Sequence, residues 1–279
     1  MTVFKEQQLL KEHLDFQKDA NIGLVPTMGA LHAGHLALVE QAIKENDYVI
    51  VSIFVNPTQF DDQKDLNAYP KTLSDDLQKL SVFEDKVYVY APEVKDLYPE
   101  KTATEPYNFG LLETTMEGAS RKGHFQGVAT IVFKLLSGFM PKRAYFGEKD
   151  YQQLSIIHAL VAQKKLPITI VDCPIVREKD GLAMSSRNTR LSKEHRDLSP
   201  LIYKTLQQVK AWKGQKDITE IKQWVEEFFQ KNAAFELDYF CIANANSLQA
   251  VSTIQESKKM RAFIAVKLGD IRLIDNVNF

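Results

Sequence analysis

The sequence predicts an α/β fold: a Rossmann-like, doubly wound parallel sheet followed by a smaller C-terminal α+β domain. Three observations predict it. Short apolar runs alternate with segments of helical period over residues 22–176, the pattern of parallel strands joined by right-handed helical crossovers. Glycine- or amide-rich segments follow the strands, at 26–35, 56–60, 147–153 and 177–190. They are therefore expected at one sheet edge, beyond the strands' carboxyl ends, where such sheets bind ligands. After Arg190 the pattern changes to long helical stretches and then short strand-like runs. The expected division is a first domain over 1–176, a polar hinge over 177–190 and a second domain over 191–279.

Taken in order, residues 3–19 read as an opening helix, with Phe4, Leu9, Leu10, Leu14 and Phe16 apolar among Lys and Glu. Ile22-Gly23-Leu24-Val25 is a short buried strand. The turn Pro26 to His35 follows, and Leu36, Leu38, Val39, Ala42 and Ile43 then recur at helical spacing. Residues 48–55 form a β-rich run bounded by Asn46-Asp47 and Asn56-Pro57, as a buried parallel strand should. Residues 61–71 read as polar loop, 74–80 as a helix and 86–90 as a strand. Residues 92–124 lack a clear period and are candidates for an excursion on the substrate side. A helix over 127–139 ends before Pro141. A strand over 144–146, a helix over 151–164 with Leu154, Ile157, His158 and Val161 inward, and a strand over 168–176 complete the alternation. In the second domain 192–213 reads as one long helix and 217–231 as another, opening on the capping-box-like Asp217-Ile218-Thr219-Glu220. Strands are expected over 237–243, 261–267 and 271–274, with a helix near 248–255.

Composition narrows the function. Lys and Arg number 35 against 36 Asp and Glu, a net charge of −1, so there is no nucleic-acid footprint and no polybasic membrane patch. Small-molecule partners fit better. The N-terminus carries early acidic charge and no long apolar stretch, unlike a signal peptide or membrane span. A cytoplasmic location is expected. The two cysteines, Cys173 and Cys241, lie in apolar runs and form no CxxC pair, so buried reduced thiols are expected.

A strand, a glycine-bearing turn and a helix in that order leave backbone N–H groups and a positive helix end at the strand's carboxyl edge, where phosphate binds well. His32 and His35, three apart, can face one side of the first helical turn. They could bind a metal, but no further ligand cluster stands beside them. They could donate hydrogen bonds to phosphate as charge moves onto a leaving pyrophosphate, or they could be plain capping or core histidines. Asn56 and Gln59 are uncharged amides suited to hydroxyls and a carboxylate, with turn hydrogen bonding as the plainer reading of Asn56. At the next strand end, Gly147 permits close backbone approach and Lys149 can reach phosphate as a point charge; a solvated charge run is the alternative. Ser185, Ser186 and Arg187 could close over a triphosphate, or merely link two domains.

Five separated motifs carry a resemblance. Pro26-Thr27-Met28-Gly29-Ala30-Leu31-His32-x-Gly34-His35 is similar to the HIGH signature of adenylate-forming nucleotidyltransferases, and specifically to the first motif of the pantoate–β-alanine ligase family. Ser52-Ile53-Phe54-Val55-Asn56-Pro57-x-Gln59-Phe60 resembles that family's second. Gly123-His124-Phe125-x-Gly127-Val128, Phe146-Gly147-Glu148-Lys149-Asp150-Tyr151-Gln152-Gln153 and Asp180-Gly181-Leu182-Ala183-Met184-Ser185-Ser186-Arg187-Asn188 follow in order, and Arg272-Leu273-Ile274-Asp275-Asn276 also fits. The Met184 to Arg187 segment resembles a KMSKS-type loop without its lysines. Arg121-Lys122-Gly123-His124 departs from the family's usual Arg-Pro-Gly-His, which leaves the pose of Arg121 open.

The resemblance implies ATP-dependent condensation of (R)-pantoate with β-alanine to pantothenate. Pantoyl adenylate would be the intermediate, with AMP and pyrophosphate released. It implies catalytic roles for His35, His32, Lys149, Ser185, Ser186 and Arg187. ATP would be bound by these with Met28, Gly29, Gly34, Gly147, Glu148, Asp150, Val176 and Met184. Substrate would be held by Thr27, Met28, Asn56, Gln59, Arg121 and Gln153. It further implies Mg²⁺ on the phosphates with unassigned ligands, a homodimer, and a C-terminal domain that acts as a lid. Tyr69-Pro70 and Asp75-Asp76 are further candidates for lining the site or helping with Mg²⁺, paired helix carboxylates usually being solvated. A nucleotidyltransferase that keeps the nucleotide on its product and a non-catalytic nucleotide-binding protein are the other classes; a synthetase acting on tRNA is disfavoured by the neutral charge.

Overall fold

The structure, a computed structural model, describes residues 1–15 and 20–279. In chain order its elements are β1 (Thr2–Phe4), α1 (Gln7–Asp15), β2 (Ile22–Thr27), α2 (Ala33–Glu45), β3 (Tyr48–Ile53), α3 (Gln63–Ala68), α4 (Leu73–Leu80), β4 (Val87–Tyr90), α5 (Val94–Leu97), α6 (Met116–Ser120), α7 (His124–Phe139), β5 (Arg143–Gly147), α8 (Tyr151–Lys164), β6 (Thr169–Cys173), α9 (Lys193–Leu198), α10 (Pro200–Ala211), α11 (Ile218–Gln230), β7 (Phe235–Asn244), β8 (Met260–Leu268) and β9 (Ile271–Asn278). Two compact units result. One comprises Met1–Phe109, Arg121–Glu148 and Gln153–Pro174, the other Gly110–Ser120, Lys149–Gln152 and Ile175–Phe279.

The first unit holds a six-stranded sheet in the order β1-β4-β3-β2-β5-β6, every pair parallel. Val49, Ile50 and Val51 of β3 are fully buried. β-Branched side chains pack well on both faces of a covered parallel strand, which is why this run reads as continuous apolar sequence. Val49 and Val51 join Val25, Val39, Val87, Val89 and Tyr145 in one core. From β2 the chain steps to β3 and β4 on one side and to β5 and β6 on the other, so the strand order reverses between β2 and β5. Their ladder ends at Leu24 opposite Ala144. Pro26, with no N–H to offer, sits where that ladder has already ended. Crevices of this kind are where doubly wound sheets bind ligands.

The second unit is a three-stranded antiparallel sheet, β7-β8-β9, with helices packed on it. Ile202, Leu206 and Val209 of α10 and Ile221, Val225 and Phe229 of α11 share a buried core with Ile264, Val266, Leu273 and Val277 of the sheet. Asp217 and Glu220 close the expected capping box on α11, with Asp217 N donating to Glu220 Oε2 at 3.0 Å. Both cysteines are free thiols, Cys173 buried and Cys241 half-buried. Among the described residues no helix is long and apolar enough to cross a membrane.

The structure corrects several local expectations. The opening helix over 3–19 is instead strand β1 followed by α1 from Gln7, and Phe16 lies outside the described residues. Pairing of Thr2 with Tyr88 and Phe4 with Tyr90 selects the strand, a long-range contact with no local signal. Within 61–71 a short helix α3 forms, capped by Asp62, whose Oδ1 accepts from Lys64 N at 2.7 Å. The single helix expected over 192–213 breaks into α9 and α10, because Pro200 at a first helical turn starts a new helix. Around 248–255 only a 3₁₀ turn, Ile254–Glu256, forms. His158 points outward, 2.8 Å from Asp172.

Candidate active site

The turn after β2 is held by side chains. Gly29, with φ of +79°, takes a backbone conformation that L side chains rarely adopt, and a Cβ there would lie 3.1 Å from both Asp76 and Ile53. Thr27 Oγ1 accepts from Gly29 N at 3.2 Å and donates to the Ser52 carbonyl at 2.7 Å. Asp76, fully buried on α4, accepts from Ala30 N at 3.0 Å, Leu31 N at 2.7 Å and Thr72 Oγ1 at 3.3 Å. Asp76 is thus not a solvated helix carboxylate; it anchors the turn. These backbone N–H groups, expected from the sequence to be open to phosphate, are already engaged.

The two histidines are the helix cap. His32 Nδ1 accepts from Gly34 N at 3.1 Å, and His35 Nδ1 accepts from His32 N at 3.3 Å, which makes a capping box built from imidazoles. The rings lie 4.0 Å apart, tilted by 35°. A neutral imidazole that accepts at Nδ1 carries its proton on Nε2. Capping and phosphate donation, alternatives in the sequence, are therefore compatible: the backbone fixes one nitrogen and leaves the donor character on the other.

The 3₁₀ turn Pro57–Gln59 places Asn56 and Gln59, both buried. Asn56 Nδ2 donates to the Gly127 carbonyl at 3.1 Å and to Gln59 Oε1 at 3.2 Å, while its Oδ1 accepts from Tyr98 Oη at 2.8 Å and Thr58 Oγ1 at 3.1 Å. That is the full hydrogen-bonding complement of an amide, met entirely within the first unit. Gln59 Nε2 lies 2.9 Å from Met28 Sδ. Arg121 does not stand alone. Its guanidinium meets Asp61 at 3.4 Å and His124 Nε2 at 3.2 Å. Because arginine only donates, His124 Nε2 accepts, and Nδ1–H donates to the Gln59 carbonyl at 2.7 Å. Gly147 ends β5 and Glu148 follows it, at the edge where the strand order reverses, and Gln153 is half-buried on the first turn of α8.

The remaining predicted residues belong to the second unit. Lys149 Nζ lies 3.5 Å from Asp150 Oδ1, and the Lys149 carbonyl accepts from Asn276 Nδ2 at 3.0 Å. Arg261 donates to Asn276 Oδ1 and stacks on Tyr151, 3.9 Å from the ring centre. Residues 176–184 form a hairpin: Met184 N donates to the Val176 carbonyl at 3.0 Å and Glu178 N to that of Leu182 at 2.8 Å. Its root is held by Arg177, which grips Asp275 through two bonds of 2.7 and 2.9 Å and lies over the Tyr203 ring. Burial pushes the Asp275 carboxyl above the usual range, and Arg177 pulls against it. Ser185 caps a 3₁₀ turn, Ser186–Arg190, accepting from Arg187 N at 3.3 Å. Glu117 is bound bidentately by Arg272, which also meets Asp238. Burial opposes the charge on Arg272, but the carboxylates of Glu117 and Asp238 outweigh it and its pKa rises.

Sequence reasoning missed Thr58 and Tyr98 as supports of the first unit's site and named Asp76 as a candidate for lining it without its anchoring task, and it did not assign a task to Arg177, Asp275 or Asn276. Only the last two had a signal, the motif near the C-terminus. Among the described residues no group of three or more His, Cys, Asp or Glu could hold a metal ion.

Comparison with known proteins agrees with this architecture. A family model described as pantoate-beta-alanine ligase matches residues 2–278. A pantothenate synthetase of Flavobacterium psychrophilum is 46% identical over 280 residues, covering 100% of this chain and 99% of that protein. One of Bacteroides fragilis is 46% identical over 258 residues, 92% of this chain and 91% of the relative. The crystal structure of pantothenate synthetase from Thermus thermophilus superposes with a TM-score of 0.91 at 40% identity, over 99% of each chain. The pantoate-beta-alanine ligase from Francisella tularensis, complexed with beta-gamma ATP and beta-alanine, gives 0.82 at 34% identity over 100% of this chain and 97% of that one. Matched almost end to end by the model and by relatives well above 30% identity, the chain belongs to the pantoate–β-alanine ligase family.

Proposed function

We propose that the protein joins (R)-pantoate to β-alanine at the expense of ATP. A carboxylate oxygen of pantoate attacks the α-phosphorus, the bond to pyrophosphate breaks, and pantoyl adenylate forms. The neutral amine of β-alanine then attacks the activated carbonyl; the C–N bond forms, AMP leaves with the electron pair, and the amine loses its proton. Activation is needed because a free carboxylate would have to expel oxide. The observation that carries the reading is the pair of histidines after β2, each capped at Nδ1 and so a donor at Nε2, in a chain of this family. Donors fixed before charge develops stabilise it with little reorganisation.

His35 and His32 serve as phosphate donors, with Lys149, Ser185, Ser186 and Arg187 assisting. Met28, Gly29, Gly34, Gly147, Glu148, Asp150, Val176 and Met184 complete the nucleotide site. Gln59 and Gln153 hold pantoate beside Thr27 and Met28. Asn56 and Arg121 act through Gln59, the latter by way of His124. Mg²⁺ accompanies the triphosphate, and no residue of this chain is assigned to it. The division at 176 and 190, a homodimeric state and a cytoplasmic location belong to the same proposal.

Mass spectrometry of mixtures containing ATP, pantoate and β-alanine, with each omitted in turn, tests it. Pantothenate, AMP and pyrophosphate in equal amounts are expected only from the complete mixture. Pantoate-dependent exchange of labelled pyrophosphate into ATP without β-alanine tests the adenylate. A nucleotide retained on the product would overturn the reading.

A further inference from the structure

We propose that Tyr98, assisted by Thr58, is a positioning residue that locks in the polarity imposed on the Asn56–Gln59 amide pair by the Gly127 carbonyl, so that Gln59 meets the substrate as a hydrogen-bond donor. The inference rests on the proposed pantoate site and names how that site selects an oxygen acceptor.

An amide side chain can turn end for end at little steric cost, so its neighbours decide which atom faces where. Here they decide in sequence. The Gly127 carbonyl can only accept, which assigns the Asn56 atom 3.1 Å away as Nδ2. Asn56 Oδ1 then faces the hydroxyls of Tyr98 and Thr58, and both can donate to it. The second hydrogen of Nδ2 is aimed at Gln59, whose nearest atom, at 3.2 Å, must be Oε1. Gln59 is thereby oriented with its carbonyl inward and Nε2 toward Met28 Sδ. A thioether is a weak acceptor, which a carboxylate or hydroxyl oxygen displaces readily. Reversing Gln59 would set its N–H groups against those of Asn56 in a buried place, which is costly. The site therefore favours an oxygen acceptor and disfavours an ammonium at this point.

Tyr98 suits the task. It is 5% exposed, and burial pushes its phenol up, with the hydroxyl bonds to Thr58 and Asn56 pulling the other way, so it stays a donor. Its ring packs beside Phe54 at 6.4 Å between centroids and under Lys134. Tyr98→Phe keeps those ring contacts and removes the hydroxyl, with its bond to Asn56 and its 3.2 Å contact with Thr58 Oγ1.

Calorimetry on the full chain tests the proposal. Tyr98→Phe is expected to weaken pantoate binding about tenfold, on the scale of a buried hydrogen bond and its unpaired partner, with ATP affinity unchanged. Thr58→Val is expected to act in the same direction with a smaller loss, and stands in should Tyr98→Phe fold poorly. In a Gln59→Ala background Tyr98→Phe should add no further loss, because a residue acting through another is not additive with it. Unchanged pantoate affinity in both variants, an equal loss of ATP affinity, or full additivity with Gln59→Ala would each overturn the inference while leaving the proposed function standing. Failure of the unaltered chain to bind pantoate would overturn the function and the inference together.

Discussion

At the scale of single residues, the site depends on atoms that do two things at once. His35 Nδ1 completes the start of α2 by accepting from His32 N, and that bond places the ring proton on Nε2. His35→Ala therefore removes a cap and a donor together. The cap is worth about 1 kcal/mol of stability, and the donor about 10²–10³ in rate if it acts on developing phosphate charge. Thermal melting should show a small decrease while pyrophosphate exchange nearly vanishes. Exchange at the original rate would remove His35 from the chemistry. Asn56 makes the opposite point: an amide that reads as a substrate contact is saturated by its own protein. The partner hydroxyl of Tyr98 stands 42 residues away in the chain, and no local pattern announces it.

At the scale of elements, positions are set where backbone meets backbone. A Cβ built on Gly127 of α7 would lie 2.2 Å from the Thr58 carbonyl oxygen and 2.6 Å from Gln59 Cα, so the helix seats against the 57–59 turn only because that residue is glycine. Gly127→Ala must push the turn away, at a cost of about 1–3 kcal/mol, the range of overpacked sites. Since Asn56 loses its fixed carbonyl, pantoate affinity should fall more than ATP affinity, which titration of both ligands would reveal. Unchanged affinity for pantoate would show that the turn's position does not matter. In the second unit, β9 does comparable work through Asp275 on Arg177 and Asn276 on the Lys149 carbonyl. The second of these spans 127 residues of sequence.

For the whole molecule, buried acids point to alkaline sensitivity. Burial first, and nearby Glu45, Asp172 and Glu148 next, push the Cys173 thiol from 9.0 up to about 12. Burial also pushes the Tyr145 phenol from 10.0 up to about 12, while Tyr90, Tyr107 and Tyr239 move in the same direction. A group whose folded pKa lies above its unfolded value stabilises the fold fully below the unfolded value, and that stability is lost as pH rises toward the folded one. Urea midpoints should therefore hold up to about pH 9 and decline steadily toward about pH 12. Circular dichroism would follow both units. Fluorescence would follow the second alone, because Trp212 and Trp224, the chain's two tryptophans, are stacked edge-on there, 4.6 Å apart. A midpoint that stayed flat across this window would show that these groups ionise as freely in the folded chain as in the unfolded one.

The sequence by itself determined the alternation of strands and helices, the change of character after Arg190 and the family, because apolar periodicity and contiguous motifs are written in neighbouring residues. It also carried the histidine pair and both glutamines to their elements. Tertiary structure alone decided that Thr2 to Phe4 is a strand on β4, that Asp76 occupies the turn's N–H groups, and that Tyr98 and Asn276 support the amide pair and Lys149. Each of these is a hydrogen bond or pairing between residues tens of positions apart. Such contacts depend on which chain segments fold side by side, and local pattern does not encode them.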